Sequence, residues 1–344
     1  MTDAARRAIY TIKIDGQDIT SNFEPHLLSL QIKLIDGGQS DTLDISLNDA
    51  GGRINMPREG AEIVATLAWS DGGGAMIFEG VTDEPESEGS RGQGMVLNIT
   101  AHAADMKGKT KEKRQAHKDS AKFGDVAKDW GKKADLDVRV SDKLAAIQRD
   151  YWSMQNESFM AWGARMAQEM GATFKIMGKR GVFVPRNASA SAGGKELPVV
   201  MADYGRNIIG WQIRPLQNRP RYNHSVVRWY DRKEAKWRKE TVQLMDEAAR
   251  APLIDARKSG DKDWAKDRAD SNAEEAKRGK GGGTVTLIGA PEAQAQGLCR
   301  ISGVRSGIDG NYRVSEATHS FSRDVGWVTV CDLARPPLNT PQSS

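Results

Sequence analysis

Cysteine is nearly absent from this chain: Cys299 and Cys331 are the only two in 344 residues. Two thiols cannot make a disulfide framework, so nothing points to an oxidising compartment. Both fall in strand-like stretches and are expected to be reduced, buried and dispensable, behaving as small hydrophobes. No run of ~18 apolar residues occurs, which excludes a membrane-spanning helix read from hydropathy. The opening residues Met1-Thr-Asp-Ala-Ala-Arg-Arg7 are polar and contain no apolar signal core. The expectation is therefore a protein made and folded in the cytosol.

The residue clusters that carry chemistry are also missing. The five histidines, His26, His102, His117, His224 and His319, are not at metal-ligand spacing, and neither cysteine has a close ligand partner. No His-Glu-x-x-His and no Gly-x-Ser-x-Gly occurs. Gly108-Lys109-Thr110 resembles the end of a phosphate loop, but Ala103 stands where the first glycine belongs. Ser259 and Lys262 have Ser-x-x-Lys spacing inside a charged segment. Carboxylates are plentiful and leave a glycosidase pair open, with solvated surface acids as the plainer reading. The basic run Lys107–Lys118 contains no interleaved aromatics and reads as a solvated helix or loop face, not a nucleic-acid contact. The net charge of +4 demands no polyanionic partner. No catalytic, cofactor-binding or metal-binding residue is assigned, no cofactor is expected, and the reading is of a protein that is not an enzyme.

What the chain has in quantity is alternation and glycine, 35 residues of it. Residues 1–104 read as β. Ile9–Ile14 alternates into Asp15-Gly16, a tight turn whose two residues tolerate positive φ. Leu28, Leu30, Ile32 and Leu34 alternate, as do Leu43, Ile45 and Leu47 after the turn-like Gly37–Ser40. Glu62–Trp69, Ala75–Val81 and Met95–Ala103 continue the pattern, which suggests a sandwich or barrel.

Residues 105–190 switch to helical spacing. Phe123, Val126, Ala127 and Trp130 form one stripe, with Asp119 or Ser120 as caps. Phe159, Trp162, Met166 and Met170 form a second, starting near Ser158 and ending at Gly171. Thr173–Met177 and Gly181–Pro185 read as a hairpin, giving a small α/β domain. Residues 187–197 read as a linker.

Residues 191–247 and 283–335 return to β, with Ile208–Arg214, Ser225–Tyr230, Glu240–Leu244, Thr284–Ile288, Leu298–Ile301, Tyr312–Val314 and Trp327–Leu333 as strands. Asp309-Gly310 is expected as a second hairpin turn. Residues 248–282 read as a helical insertion whose Ala265, Ala269, Ala273 and Ala276 allow close packing beside Trp264, closed by Gly281–Gly283. Residues 336–344 read as a flexible tail. The fold class is α+β, mainly β, with two β-barrel-like units of similar size in one chain.

Three segments together resemble the late control protein D family, the baseplate central hub proteins of Mu- and P2-like contractile-tailed phages. The first is Ile12-Lys-Ile-Asp15-Gly16-Gln-Asp-Ile-Thr20, with Leu27–Leu34 and Ser40–Asp49. The second is Asp150–Phe159, with Asn156, Glu157 and Ser158, continuing through Arg165–Gly171. The third runs from Gly303 through Asp309-Gly310-Asn-Tyr312-Arg-Val314 to His319, then Gly326–Leu333. The resemblance implies a homotrimeric ring in which two tube domains per subunit alternate around an axial channel, with DNA passing through it. It implies the hexameric tail tube protein and a trimeric spike protein as partners, with other baseplate and tape-measure proteins beside them. It implies no membrane insertion, no specific nucleic-acid binding, and a place in the virion tail baseplate after synthesis in the host cytoplasm. The Asp15, Gly16, Asn156, Glu157, Ser158, Gly303, Asp309, Gly310, Tyr312 and His319 positions carry over as structural residues. A type VI secretion spike, a phage-like bacteriocin hub, and a tail-associated peptidoglycan-binding or hydrolysing protein remain as alternatives.

Overall fold

A computed structural model describes residues 6–36, 40–92, 94–104, 108–186, 197–214, 222–244, 250–278 and 282–334. The residues 37–39 of the expected turn, the linker 187–196, Gly281 and the tail 336–344 lie outside the described residues.

Strand residues far outnumber helical ones, as the alternation predicts. In Ala8–Ile14 the side chain of Ile12 is fully buried, and Asp15 and Gly16 adopt φ of 48° and 80°. Lys13 then pairs with Asp18 and Ile14 with Gln17, so the expected two-residue turn forms. In Leu27–Ile35, Leu30, Ile32 and Leu34 point into the core, and in Thr42–Asn48, Leu43, Ile45 and Leu47 do the same.

The two β units are not separate. One sheet of 14 strands runs through both. Its path starts at Ile208–Arg214 and passes through Gly282–Ile288, Gly326–Ala334 and Gly310–Ser322. It then crosses into Leu27–Ile35, Thr42–Asn48, Gly94–His102, Ala75–Thr82, Glu62–Trp69 and Ala8–Ile14, and ends at Gln17–Asp18. The crossing is the antiparallel pairing of Gly310–Ser322 with Leu27–Ile35, in register from Glu316 opposite Ile35 to Phe321 opposite Leu30. A single apolar core reaches from Ile12 and Leu67 to Val285, Cys331 and Leu333.

The α/β domain has its own core. The Phe123 ring lies 5.0 Å from Phe183 and 5.8 Å from Trp162, between the helices Phe123–Lys133 and Phe159–Glu169 and the sheet of Asp137–Val140, Arg180–Pro185 and Ala172–Met177. Ser158 caps the second helix, its Oγ accepting from the Ala161 N–H at 3.1 Å, and Gly171 follows its end at φ 61°.

Five local expectations are corrected. Arg114–Lys122 is a strand paired with Gln148–Glu157, so the basic run, described from residue 108, is loop to residue 113 and strand beyond, where a helix or loop face is expected. Consequently neither Asp119 nor Ser120 caps the first helix; its N-cap is Lys122 with no side-chain cap. Residues 248–282 are not wholly helical: Leu253–Ser259 is a strand, and the helix is Lys262–Arg278, opened by Asp261, whose Oδ1 accepts from the Trp264 N–H at 2.7 Å. The strands His224–Asp231 and Lys236–Gln243 pair with Leu253–Ser259, not with the large sheet, because Val227 and Trp229 bury against Ala265 and Ala269 of that helix. Finally, the glycine run does not end the helix loosely. Gly282 and Gly283 begin the strand Gly282–Ile288, where a Cβ would come within 2.1 Å of the Leu333 carbonyl oxygen and 1.9 Å of the Gln212 carbonyl oxygen, respectively.

That crowding separates two kinds of glycine. Gly16 has positive φ but open space around it, so Gly16→Ala should lose about 1 kcal/mol of unfolding free energy. Gly283→Ala also forces backbone against backbone and should lose roughly 3 kcal/mol or more, detaching Ile208–Arg214 from the sheet. Urea unfolding of the two variants checks the order; equal losses would contradict the close approach.

Candidate assembly surfaces and their supports

The ten family-motif residues do not converge on one pocket. Asp15 accepts from the Glu62 N–H at 3.0 Å and pairs with Arg58 at 3.2 Å, tying its turn to the next strands. Asn156, at φ 51°, sits at an irregularity where Gln155 and Glu157 skip register. Glu157 holds Arg165, which also donates to the Ser153 carbonyl at 3.0 Å. Asp309-Gly310 is not a two-residue hairpin: Ile301 pairs with Gly310, and the loop 303–309 lies between the strands. Asp309 instead organises that loop, its Oδ1 accepting from the Val304 N–H at 2.9 Å and the Arg305 N–H at 3.1 Å. Gly303 at φ 76° opens the loop and Gly310 starts the following strand. Buried Tyr312 closes the arrangement by donating to the Ile308 carbonyl at 2.6 Å, and burial raises its pKa.

His319 lies further along the same strand, fully buried. One ring nitrogen, Nε2, is 2.9 Å from the Ala293 carbonyl, and Nδ1 is 3.1 Å from Thr329 Oγ1. Nε2–H donating and Nδ1 accepting satisfies both contacts with a neutral ring. Thr329 in turn accepts from the Ala290 N–H at 3.0 Å, and Trp69 Nε1 donates to the Gly289 carbonyl at 3.0 Å while stacking on Trp327 at 5.2 Å. The network pins residues 289–293 across both β units. Burial pushes the His319 pKa down to about 4. Cys299 and Cys331 are free thiols in the same core, with burial raising the Cys299 pKa to about 12 and that of Cys331 further.

Buried charges tie the remaining units together, and sequence reasoning missed them, because nothing in local pattern marks a charged residue that tertiary packing will bury. Asp36 pairs with Arg313, accepts from Thr173 Oγ1 at 3.1 Å, and takes the Ser315 carbonyl through its own N–H at 3.0 Å. Lys175 reaches Asp41 at 2.7 Å. Arg149 lies between the Trp152 and Trp264 rings, at 4.7 and 4.4 Å, and pairs with Glu169 at 3.4 Å, both side chains about 5% exposed or less. Burial lowers the Arg149 pKa and Glu169 opposes the shift.

One end of the large sheet exposes large apolar side chains. Ile208–Arg214 has a single strand neighbour among the described residues, Gly282–Ile288. Its Ile209 and Trp211 are 57% and 42% exposed, and Tyr204, 59% exposed, meets Trp211 edge-on at 5.3 Å. An open edge with apolar side chains is a template for a further strand or subunit. Among the described residues, no group of three or more His, Cys, Asp or Glu side chains could hold a metal ion, and no helix is long and apolar enough to cross a membrane.

No family model matches the chain. In fold it is similar to phage tail proteins. The 43 kDa tail protein of prophage MuSo2 from Shewanella oneidensis aligns with TM-score 0.72 and 14% identity over 96% of this chain and 98% of that one. A tail protein from Neisseria meningitidis aligns at 0.70 and 14% over 96% and 97%. An E. coli type VI secretion component, itself similar to bacteriophage T4 tail proteins, aligns at 0.57 and 10% over 97% and 79%. In sequence the chain is homologous to the probable baseplate hub proteins of Escherichia phage 186, 28% identical over 235 residues, and Escherichia phage P2, 28% identical over 191. Those matches take in 68% and 56% of this chain, and span 59% and 49% of the relatives' lengths.

Two outcomes follow from the buried groups. Unfolded His319 takes up its proton near pH 6.5 and the folded ring only near 4. The unfolded state binds more protons between those values, so stability is full above pH 6.5 and falls by roughly 3 kcal/mol as pH drops to 4. His319→Gln should flatten that part of a stability-versus-pH curve; an unchanged slope would rule the ring out as its source. Glu169→Ala strands Arg149 between its tryptophans and should cost about 3–5 kcal/mol in chemical denaturation.

Proposed function

We propose that this chain is the central hub of a contractile phage tail baseplate, a structural protein and not an enzyme. The observation that carries the reading is the single sheet that fuses two β units through Leu27–Ile35 and Gly310–Ser322, in a chain homologous to baseplate hub proteins. Three such subunits close into a ring with an axial channel, each contributing two tube domains, 1–104 and 191–247 with 283–335, less the strands His224–Asp231 and Lys236–Gln243 that pair with Leu253–Ser259. The nearly six-fold face seats the hexameric tail tube, the other end seats the trimeric spike, and DNA passes between them. The exposed edge at Ile208–Arg214 supports this reading, since ring closure covers an edge that would otherwise pair indiscriminately. The family-motif residues act as structural pivots: turns at Asp15-Gly16 and Gly303–Gly310, the cap at Ser158, and the buried anchors Tyr312 and His319. The α/β domain 105–190 braces the ring from outside. The fold likeness to a type VI secretion component supports a second reading, the hub of a related injection machine.

Native mass spectrometry of the purified chain, alone and with its spike, should find a trimer; a strict monomer in both would overturn the ring. Trp211→Glu should weaken self-association by about tenfold or more while costing the monomer about 1 kcal/mol, because the residue is 42% exposed and gives up its edge-on contact with Tyr204. Zymography on peptidoglycan should give no lysis band, and a band abolished by one carboxylate substitution would overturn the structural role.

A further inference from the structure

The unit formed by residues 222–244 and 250–278 presents an exposed sheet face. Its strands lie in the order Lys236–Gln243, His224–Asp231, Leu253–Ser259, and helix Lys262–Arg278 covers one side through Ala265 and Ala269. On the other side, Lys239 and Lys258 both stand directly opposite Arg228. Three exposed cations therefore form a row across the sheet, stepping about 5 Å from strand to strand. In the adjoining row Trp237 stands opposite Tyr230, with ring centroids 5.2 Å apart, 53% and 38% exposed. Ile254, 57% exposed, lies opposite Val226 on the same face.

Like charges directly opposite one another destabilise a sheet. Among the described residues only the Lys258 ammonium has a compensating contact, over the Trp237 ring, because the nearby acids are engaged elsewhere. Asp231 and Glu234 hold Arg238, Glu240 accepts from the Trp229 indole N–H, and Asp255 holds Arg268 and Asn272. Among the described residues no carboxylate pairs with Arg228, Lys239 or Lys258.

We propose that this face docks an acidic segment of a neighbouring tail protein, with its carboxylates on the Lys239–Arg228–Lys258 row and an apolar side chain against Ile254. The proposal rests on the hub reading for where that neighbour is met. Arginine and aromatic side chains are the usual anchors of protein interfaces. The geometry disfavours nucleic acid as the occupant. The Lys258 ammonium covers the Trp237 ring at 4.6 Å and Tyr230 tilts 60° against it, so no open platform remains for successive bases to stack on. An exposed isoleucine also suits a protein side chain better than a phosphate backbone.

Purified tails carrying the full chain are treated with a carbodiimide, which condenses a lysine amine with a carboxylate in contact with it and releases the urea, and the cross-links are read by mass spectrometry. Lys239 or Lys258 should be joined to an aspartate or glutamate of another tail protein. The Arg228→Gln, Lys239→Gln double variant should keep or raise its Tm as the repulsion is removed, yet yield tails reduced by about tenfold or more. Cross-links confined to the chain itself, or normal tail yield from the variant, would overturn the proposal. So would salt-sensitive binding of a labelled oligonucleotide of about 20 nucleotides that the variant loses, which would assign the face to nucleic acid. Absence of the wild-type chain from purified tails would remove the hub reading and this proposal with it, a result read before any cross-link is mapped.

Discussion

The pairing of Gly310–Ser322 with Leu27–Ile35 is the constraint on which the rest of the molecule depends. It joins segments from opposite ends of the chain, so its closure entropy is met only when the apolar faces on both sides are buried together. That burial is what Leu30, Ile32, Ala317 and Val314 supply. Once the pairing forms, two β units that neither share a repeat nor adjoin in sequence have one core. The Trp69–Trp327 stack and the His319 network then cross the same seam, so disturbing one half reaches the other.

The α/β domain and the 222–278 unit are held to this frame by a few charged residues, not by a continuous core. Asp36 stands at the end of the seam strand and holds both Arg313 and Thr173. Arg149 bridges to the insertion by lying between Trp152 and Trp264. Buried pairs of this kind contribute modest net stability but penalise alternative arrangements that would leave a charge unpaired. They favour one relative placement of the units.

The surface divides by chemistry. The open edge at Ile208–Arg214 is apolar and aromatic, which suits a permanent contact between copies. The cationic row on the insertion is exposed and charged, which suits recognition of a different, acidic chain. In the proposed ring, separating the two on different units would let a subunit engage its ring neighbours and an outside protein at once.

Much of the fold was legible in local pattern. Alternation placed the strands Ala8–Ile14, Leu27–Ile35 and Gly326–Ala334, the Asp15-Gly16 pair placed its turn, and Ser158 with the Phe159–Met170 stripe placed a helix, because each signal is carried within a few residues by backbone sterics and side-chain period. Patterning also separated a mainly β chain with an α/β domain from other classes, and three segments carried the resemblance to hub proteins. Pattern failed where two structures share one composition. Arg114–Lys122 has the polarity of a helix face and became a strand because Gln148–Glu157 pairs with it. Asp309-Gly310 has the composition of a tight turn, but Asp309 accepts two loop N–H groups and lengthens the connection. Which strands join which sheet, that the two β units share one core, that His319 is a neutral buried anchor, and that Lys239, Arg228 and Lys258 stand in one row were decided by tertiary structure alone. Each depends on which distant residues are brought opposite one another, and that follows from the burial of the whole chain and not from any segment of it.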